Sequence, residues 1–216
     1  MANSINSTKI LPQRHDLHLA RKLWHFAGVQ SMFWMYWFFT RETSLKIAFY
    51  GTAFLVTLDL LRLRYQGLNQ RLQWVFRPFL RESEKHRPTG TSFMLIGASI
   101  AVYFFPKPAT LLMMQFFSLA DPLAAYFGTR YGRDKLIGSK SLQGTTAAFV
   151  VCFVLTLIYC IALHLMMERL IIVAVICGLI GAVSELLPIG SLDDNFIFPV
   201  LCTALLTLAF KLFGGI

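Results

Sequence analysis

Residues 109–144 read ATLLMMQFFSLADPLAAYFGTRYGRDKLIGSKSLQG, and their order decides the fold. An apolar run is interrupted by Asp121 and Pro122, a ladder of small residues follows at Ala124, Gly128 and Gly132, and Arg130, Arg133, Lys135 and Lys140 supply four cations. From 109 to 128 the run has the length a helix needs to cross the hydrocarbon of a bilayer. A carboxylate at membrane depth is costly, so Asp121 reads as a functional residue with a partner, and the four cations beside it are the expected partners. The stretch implies a membrane helix that ends in polar machinery where the span meets water.

The rest of the chain has the same character. With 56% hydrophobic residues, 14% charged residues and twenty Phe in 216 positions, it carries more apolar surface than a soluble domain of this length could bury. Further apolar stretches near 23–39, 45–61, 89–105, 145–167, 170–187 and 196–213 join the one at 109–128. The expected fold is an all-α polytopic membrane bundle of about seven transmembrane helices, forming a single catalytic domain over residues 1–216. The third span is the weakest, because its apolar core from Phe93 to Phe105 is short. No small-residue cleavage site follows the first basic cluster, so the first span is expected to be retained rather than removed as a signal peptide. Cys152, Cys160, Cys177 and Cys202 lie in apolar runs without metal-ligand spacing and read as free core thiols.

A formal charge of +9 would suggest nucleic acid as a partner of a soluble chain, but here the cations sort by membrane side. With the N-terminus in the cytoplasm, fifteen of the twenty Lys and Arg fall inside: Lys9, Arg14, Arg21 and Lys22, then seven between Arg62 and Arg87, then Arg130, Arg133, Lys135 and Lys140. Arg41, Lys46, Lys107 and Arg169 fall outside, with Lys211 near the far end of the last span. The bias implies an N-in, C-out protein and calls for no nucleic acid. Every cluster with chemistry then faces the cytosol, where nucleotide and membrane lipids are the natural partners.

Between spans two and three, Tyr65, Leu68, Leu72, Val75, Phe76, Phe79 and Leu80 recur at three- and four-residue steps among arginines, the pattern of an amphipathic interfacial helix. Pro78 should kink or end it. Asp121 followed by Pro122 is a helix-start signal and implies a broken fourth span. The Ala124, Gly128, Gly132 strip allows close approach of a helix or a ligand, and the acid before it with the cations after it favours the ligand.

A nucleoside triphosphate arrives with several negative charges and usually Mg²⁺, so its transfer needs carboxylates for metal and fixed cations for phosphate oxygens. Asp59, Asp121, Glu185, Asp193, Asp194 and Asn195 all fall near the cytoplasmic ends of spans. Asp59 is equally readable as an ion pair with Arg62.

The pattern Asp121, Ala124, Gly128, Gly132, Lys140, Ser141 and Gly144 resembles the CTP-binding signature of the dolichol kinase, phytol kinase and CTP-dependent diacylglycerol kinase family. ARKLWHF with Arg21, Lys22 and His25, ESEKHRPTGTSFML, and ELLPIGSLDDNFIFP resemble that family's other motifs, so the similarity covers most of the chain. The ending Lys140, Ser141, Leu142, Gln143, Gly144 is nearer to bacterial and phytol-kinase-like versions than to dolichol kinases.

The resemblance implies a lipid kinase that transfers the terminal phosphate of CTP to a lipid alcohol: a polyprenol, a phytol-like alcohol or diacylglycerol. It further implies that Lys140 and Arg133 hold phosphates, helped by Arg21, Lys22, Ser141 and backbone N–H groups near Gly132 and Gly144. Asp121, Glu185, Asp194 and Asn195 would hold Mg²⁺, and a carboxylate or His25 would take the hydroxyl proton. A bacterial inner membrane is expected rather than the endoplasmic reticulum. The oligomeric state is left open, a homodimer included. Two other functions fit the same residues: a cytidylyltransferase making a CDP-lipid, and a transporter built around a broken helix at Asp121.

Overall fold

The computed structural model describes residues 19–190 and 192–216. Lys9 and Arg14 of the cytoplasmic count lie outside the described residues. The described chain is eight α-helices and one small hairpin: α1 Leu19–Phe38, α2 Arg41–Arg64, α3 Gln66–Val75, α4 Gly90–Phe104, α5 Lys107–Tyr131, β1 Lys135–Ile137, β2 Lys140–Ser141, α6 Leu142–Ala162, α7 Leu170–Leu186 and α8 Asp194–Phe213. Short 3-10 turns occupy Glu82–Lys85 and Met167–Arg169.

Helix ends follow local chemistry. Thr40, Thr89, Ser141 and Asp193 cap α2, α4, α6 and α8, each side chain accepting a backbone N–H of the first turn. Gly214 ends α8 in the left-handed conformation at φ 78°, where a residue with a Cβ would be strained. At the other end of α1, Lys107 donates to the carbonyls of Trp37 and Phe39 at 3.3 and 3.2 Å.

Seven of the eight helices match the seven expected spans. Five of them, α2, α5, α6, α8 and the stretch Met167–Leu186 containing α7, are long and apolar enough to cross a membrane. The apolar α4 has only 15 residues, the shortness visible in its sequence, and α1 begins with Arg21, Lys22 and His25. The interfacial helix is shorter than its pattern suggested. It ends at Val75, three residues before Pro78, because the residue preceding a proline avoids helical backbone and the chain turns through Phe76–Phe79 instead.

The all-α bundle is as expected, and one expectation about its fourth span is corrected. The fourth span is unbroken: α5 runs through Pro122, which lies inside it. Proline removes one backbone donor, but eleven buried residues hold α5 on both sides of the proline, from Ala109 to Ala124. Between α5 and α6 the bundle carries one small hairpin, in which β1 and β2 pair antiparallel around Gly138, whose φ of 57° makes the turn.

Helix α5 is the axis of the bundle and packs against α1, α6, α7 and α8. Leu112, Met113, Phe116 and Phe117 are buried there, and Phe117 stacks on Phe198 of α8 at 5.1 Å. Most of α2 faces outward, with Phe49, Tyr50 and Phe54 exposed, as an apolar surface does when lipid is its solvent. The four cysteines are free and buried.

Candidate active site

At one end of the bundle, the start of α1, the turn before α4, the last turns of α5, the hairpin, and the junction of α7 with α8 close around a cavity of about 580 Å³. That volume suits a small-molecule ligand. The elements reach it in alternating directions, so their polar ends gather at one face while their apolar stretches run away from it. Its wall contains Arg21, Lys22 and His25 of α1, Asp121, Ala124 and Gly128 of α5, Gly132 beyond it, Lys140 and Ser141 of the hairpin, and Glu185, Asp194 and Asn195. Of the residues expected at the site, Arg133 and Gly144 do not line it.

Lys140 is the electrostatic centre. Its ammonium donates to a Glu185 carboxylate oxygen at 2.7 Å and to the Glu185 carbonyl, with Asp194 at 3.9 Å. Glu185 is buried and Lys140 half-buried, so the pair crosses from the hairpin to the end of α7 in a partly dehydrated setting.

The four cations expected to partner Asp121 do not do so. Arg130 lies against the ring of Tyr131, Lys135 donates to the Ser139 carbonyl at 3.2 Å, Lys140 serves Glu185, and Arg133 is exposed. Among the described residues no cation lies within ion-pair distance of the Asp121 carboxylate. Lys22, across the cavity, donates to the neighbouring Pro122 carbonyl at 3.4 Å.

The small-residue strip serves helix packing as well as the cavity. A Cβ on Gly144 would stand 2.8 Å from the Ala124 carbonyl, and one on Gly128 would stand 3.1 Å from Ser141 Oγ. At Gly132 a Cβ would strike the Gly128 carbonyl and come within 2.6 Å of Ser141 Oγ. The strip thus lets the start of α6 rest on α5, while its open edge lines the cavity. The Gly144 N–H, among the backbone donors expected near the phosphates, instead donates to the capping Ser141 Oγ at 3.2 Å.

Arg21 and His25 are likewise engaged. Arg21 grips both oxygens of Glu84 at 3.0 Å and donates to the Phe79 carbonyl at 2.8 Å. His25 Nε2 lies 3.0 Å from the Phe117 carbonyl, a geometry in which Nε2 carries the proton and donates it, so only Nδ1 is left to act as a base.

Glu84 also accepts the N–H of Arg81 and of Gly90. Burial alone would raise its pKa, yet the Arg21 pair and those two N–H groups outweigh it and hold the carboxyl below the usual range. Behind this wall, Asp59 and Arg62 resolve as a buried ion pair at 2.6 Å. Asp59 further accepts from Thr89 N at 2.8 Å and Ser92 Oγ at 2.6 Å, and Arg62 donates to Asn69 Oδ1 and to the carbonyls of Glu84 and Arg87. Every polar group there has a partner, so the network fastens the turn and α4 to α2.

The sequence of this chain has relatives of named function. It is 30% identical over 162 residues to CTP-dependent diacylglycerol kinase 1 of Schizosaccharomyces pombe, covering 70% of this chain and 74% of that protein. The chain belongs to the CTP-dependent lipid kinase family. It is also 27% identical to CTP-dependent diacylglycerol kinase 1 of Saccharomyces cerevisiae, over 76% of this chain and 63% of the relative, and 29% identical to dolichol kinase of Saccharomyces cerevisiae, over 95% of this chain and 40% of the relative. No family model matches the chain, and no solved structure matches it significantly.

For a member of this family the oxygen donors are of a suitable kind. Asp121, Glu185, Asp194 and Asn195 offer the hard oxygens that Mg²⁺ prefers, and Mg²⁺ commonly takes one or two carboxylates plus substrate phosphates rather than a complete protein cage. Among the described residues no three His, Cys, Asp or Glu groups form a ready-made metal site, in keeping with Lys140 lying between Glu185 and Asp194. The structure adds wall residues that sequence reasoning does not single out for the site: Trp24, Arg81, Thr91, Ser139 and Thr145. Arg81 and Thr91 flank or sit in the ESEKHRPTGTSFML motif, which was the signal for them. Trp24 stacks on Phe79 at 4.8 Å, a contact between residues 55 apart that no local pattern announces.

Proposed function

We propose that this protein phosphorylates a membrane lipid alcohol with CTP at the cytoplasmic face of the membrane. The observation that carries the proposal is the single cavity in which Lys140, Lys22 and the carboxylate of Asp121, which has no cation within ion-pair distance among the described residues, face one another beside Glu185 and Asp194. Cations and carboxylates in one concave site at a membrane surface suit a triphosphate and a lipid hydroxyl together.

In this reading the triphosphate enters between Lys22 and Lys140, and the Lys140 ammonium exchanges part of its contact with Glu185 for phosphate oxygens. Glu185, Asp194 and Asn195 would hold Mg²⁺, which neutralises phosphate charge when bound. The lipid reaches the cavity laterally past Trp24, Met94 and Ala125, keeping its chains in the bilayer. Its hydroxyl oxygen attacks the terminal phosphorus in line; the new O–P bond forms as the bond to the bridging oxygen breaks and CDP departs. Asp121 accepts the hydroxyl proton, since among the described residues its carboxylate has no ion-pair partner to compete for it. With Nε2 of His25 held by Phe117, the histidine orients α1 against α5.

The relatives' names make diacylglycerol the first acceptor to test and a polyprenol the second. Purified protein incubated with CTP labelled at the terminal phosphate and a panel of lipid alcohols should yield labelled phospholipid and CDP. Pyrophosphate with a cytidylated lipid would instead establish the cytidylyltransferase. The transporter reading loses its physical basis because α5 is unbroken at Asp121.

A further inference from the structure

Adjoining the main cavity is a second, small space of about 10 Å³, bordered on one side by Asp121, Lys140, Ser184, Glu185, Asp194 and Asn195 and on the other by Phe117, Leu187, Ile197 and Phe198. Its volume is about that needed to hold one water molecule. Ser184 is 3% exposed, and among the described residues its hydroxyl has no hydrogen-bond partner. It lies against the Cys202 thiol, which is too weak a partner to satisfy a hydroxyl. A buried hydroxyl left unpaired is costly, and Ala would fill the same place on α7 without that cost. Part of the wall of that space is apolar, but the charged and amide groups on its other side give a water the several polar partners it needs.

We propose that Ser184 is a positioning residue of the phosphotransfer site, holding one buried water that links its hydroxyl to the neighbouring carboxylates. Lys140 anchors Glu185 from the cavity side. The Ser184 water anchors the carboxylate cluster from the α7 side, so that its oxygens are fixed before a divalent cation arrives. The inference rests on the reading above that Glu185 and Asp194 hold the cation. Groups that orient metal-binding carboxylates in this way commonly matter tenfold or more for cation affinity.

The test is Mn²⁺ binding to the purified full-length protein without nucleotide, followed by the electron paramagnetic resonance signal of free Mn²⁺, with thermal unfolding measured in parallel. Ser184→Ala should weaken Mn²⁺ binding about tenfold while its unfolding midpoint stays at or above that of the unsubstituted protein. Ser184→Thr, which keeps the hydroxyl, should restore most of the affinity. Unchanged Mn²⁺ binding in Ser184→Ala, or a Thr variant as weak as the Ala variant, would overturn the inference while leaving the metal reading intact. If Glu185→Gln binds Mn²⁺ as well as the unsubstituted protein, or neither binds it, the metal reading itself fails and this inference falls with it.

Discussion

Lys140 is both a phosphate-binding candidate and half of a buried ion pair, and substitutions can separate the two roles. Removing one partner of a buried pair leaves an uncompensated charge and typically costs about 3–5 kcal/mol, whereas neutralising both is far milder. Lys140→Ala should therefore lower the unfolding midpoint as well as abolish transfer, because Glu185 is left buried and charged. Adding Glu185→Gln to it should recover stability but not turnover. If the double variant remains as unstable as the single one, the pair is not what holds the hairpin to α7. Asp121 presents the opposite case. With no ion pair to break, Asp121→Asn should keep its midpoint and lose turnover by about a hundredfold or more, the scale of a missing general base. Near-normal turnover in that variant would remove Asp121 from the chemistry.

Between elements, the contact of α5 with α6 sets the shape of the cavity wall. Gly144→Ala would place a methyl 2.8 Å from a backbone carbonyl that cannot swing aside, so the helices must part; overpacking of this kind costs about 1–3 kcal/mol. Gly51→Ala on α2 is the control, since nothing lies within 4 Å of the new methyl and helix propensity should stabilise by about 0.5–1 kcal/mol. Comparing their unfolding midpoints checks both signs. The joint between α1 and the turn before α4 is pH-sensitive. The Glu84 carboxyl is held below its ordinary 4.5, so the folded state binds its proton less readily than the unfolded chain does. Its stabilising contribution is complete above pH 4.5 and is lost as the pH falls through the depressed value. Glu84→Gln should be less stable at neutral pH and should show a shallower fall of the midpoint with acid; parallel curves for the two proteins would contradict this assignment. These contacts also mark the limit of sequence reading. The lengths of the apolar runs located the seven spans because each follows from local composition. The pairings of Arg21 with Glu84 and Lys140 with Glu185 join residues 63 and 45 apart, and only the packed bundle selects them over nearer partners.

For the molecule as a whole, the distribution of charge along the sequence and the packing of the helices group the same basic residues at one end of the bundle. The positive-inside bias uses only counts of Lys and Arg along the chain, while the cavity gathers the polar ends of α1, α5, α7 and α8 at one end of the bundle without reference to those counts. Both place Arg21, Lys22 and Lys140 on one side. The helix does not break at Asp121–Pro122 because a capping signal is local, whereas the burial that carries α5 through its proline is supplied by the helices packed around it. A nucleotide made in the cytosol must be able to reach the cavity, so the hairpin should be cytoplasmic and the loop between α6 and α7 external. Asp134 and Arg169 are suitable reporters because both are exposed, whereas Lys107 is tied to α1 carbonyls. The four native cysteines are buried and should stay silent toward a membrane-impermeant maleimide. In intact cells or right-side-out vesicles, D134C should be protected and R169C labelled; opening the membrane should expose D134C. Labelling of D134C from outside with R169C protected would reverse the orientation, and with it the claim that the site draws on cytosolic CTP.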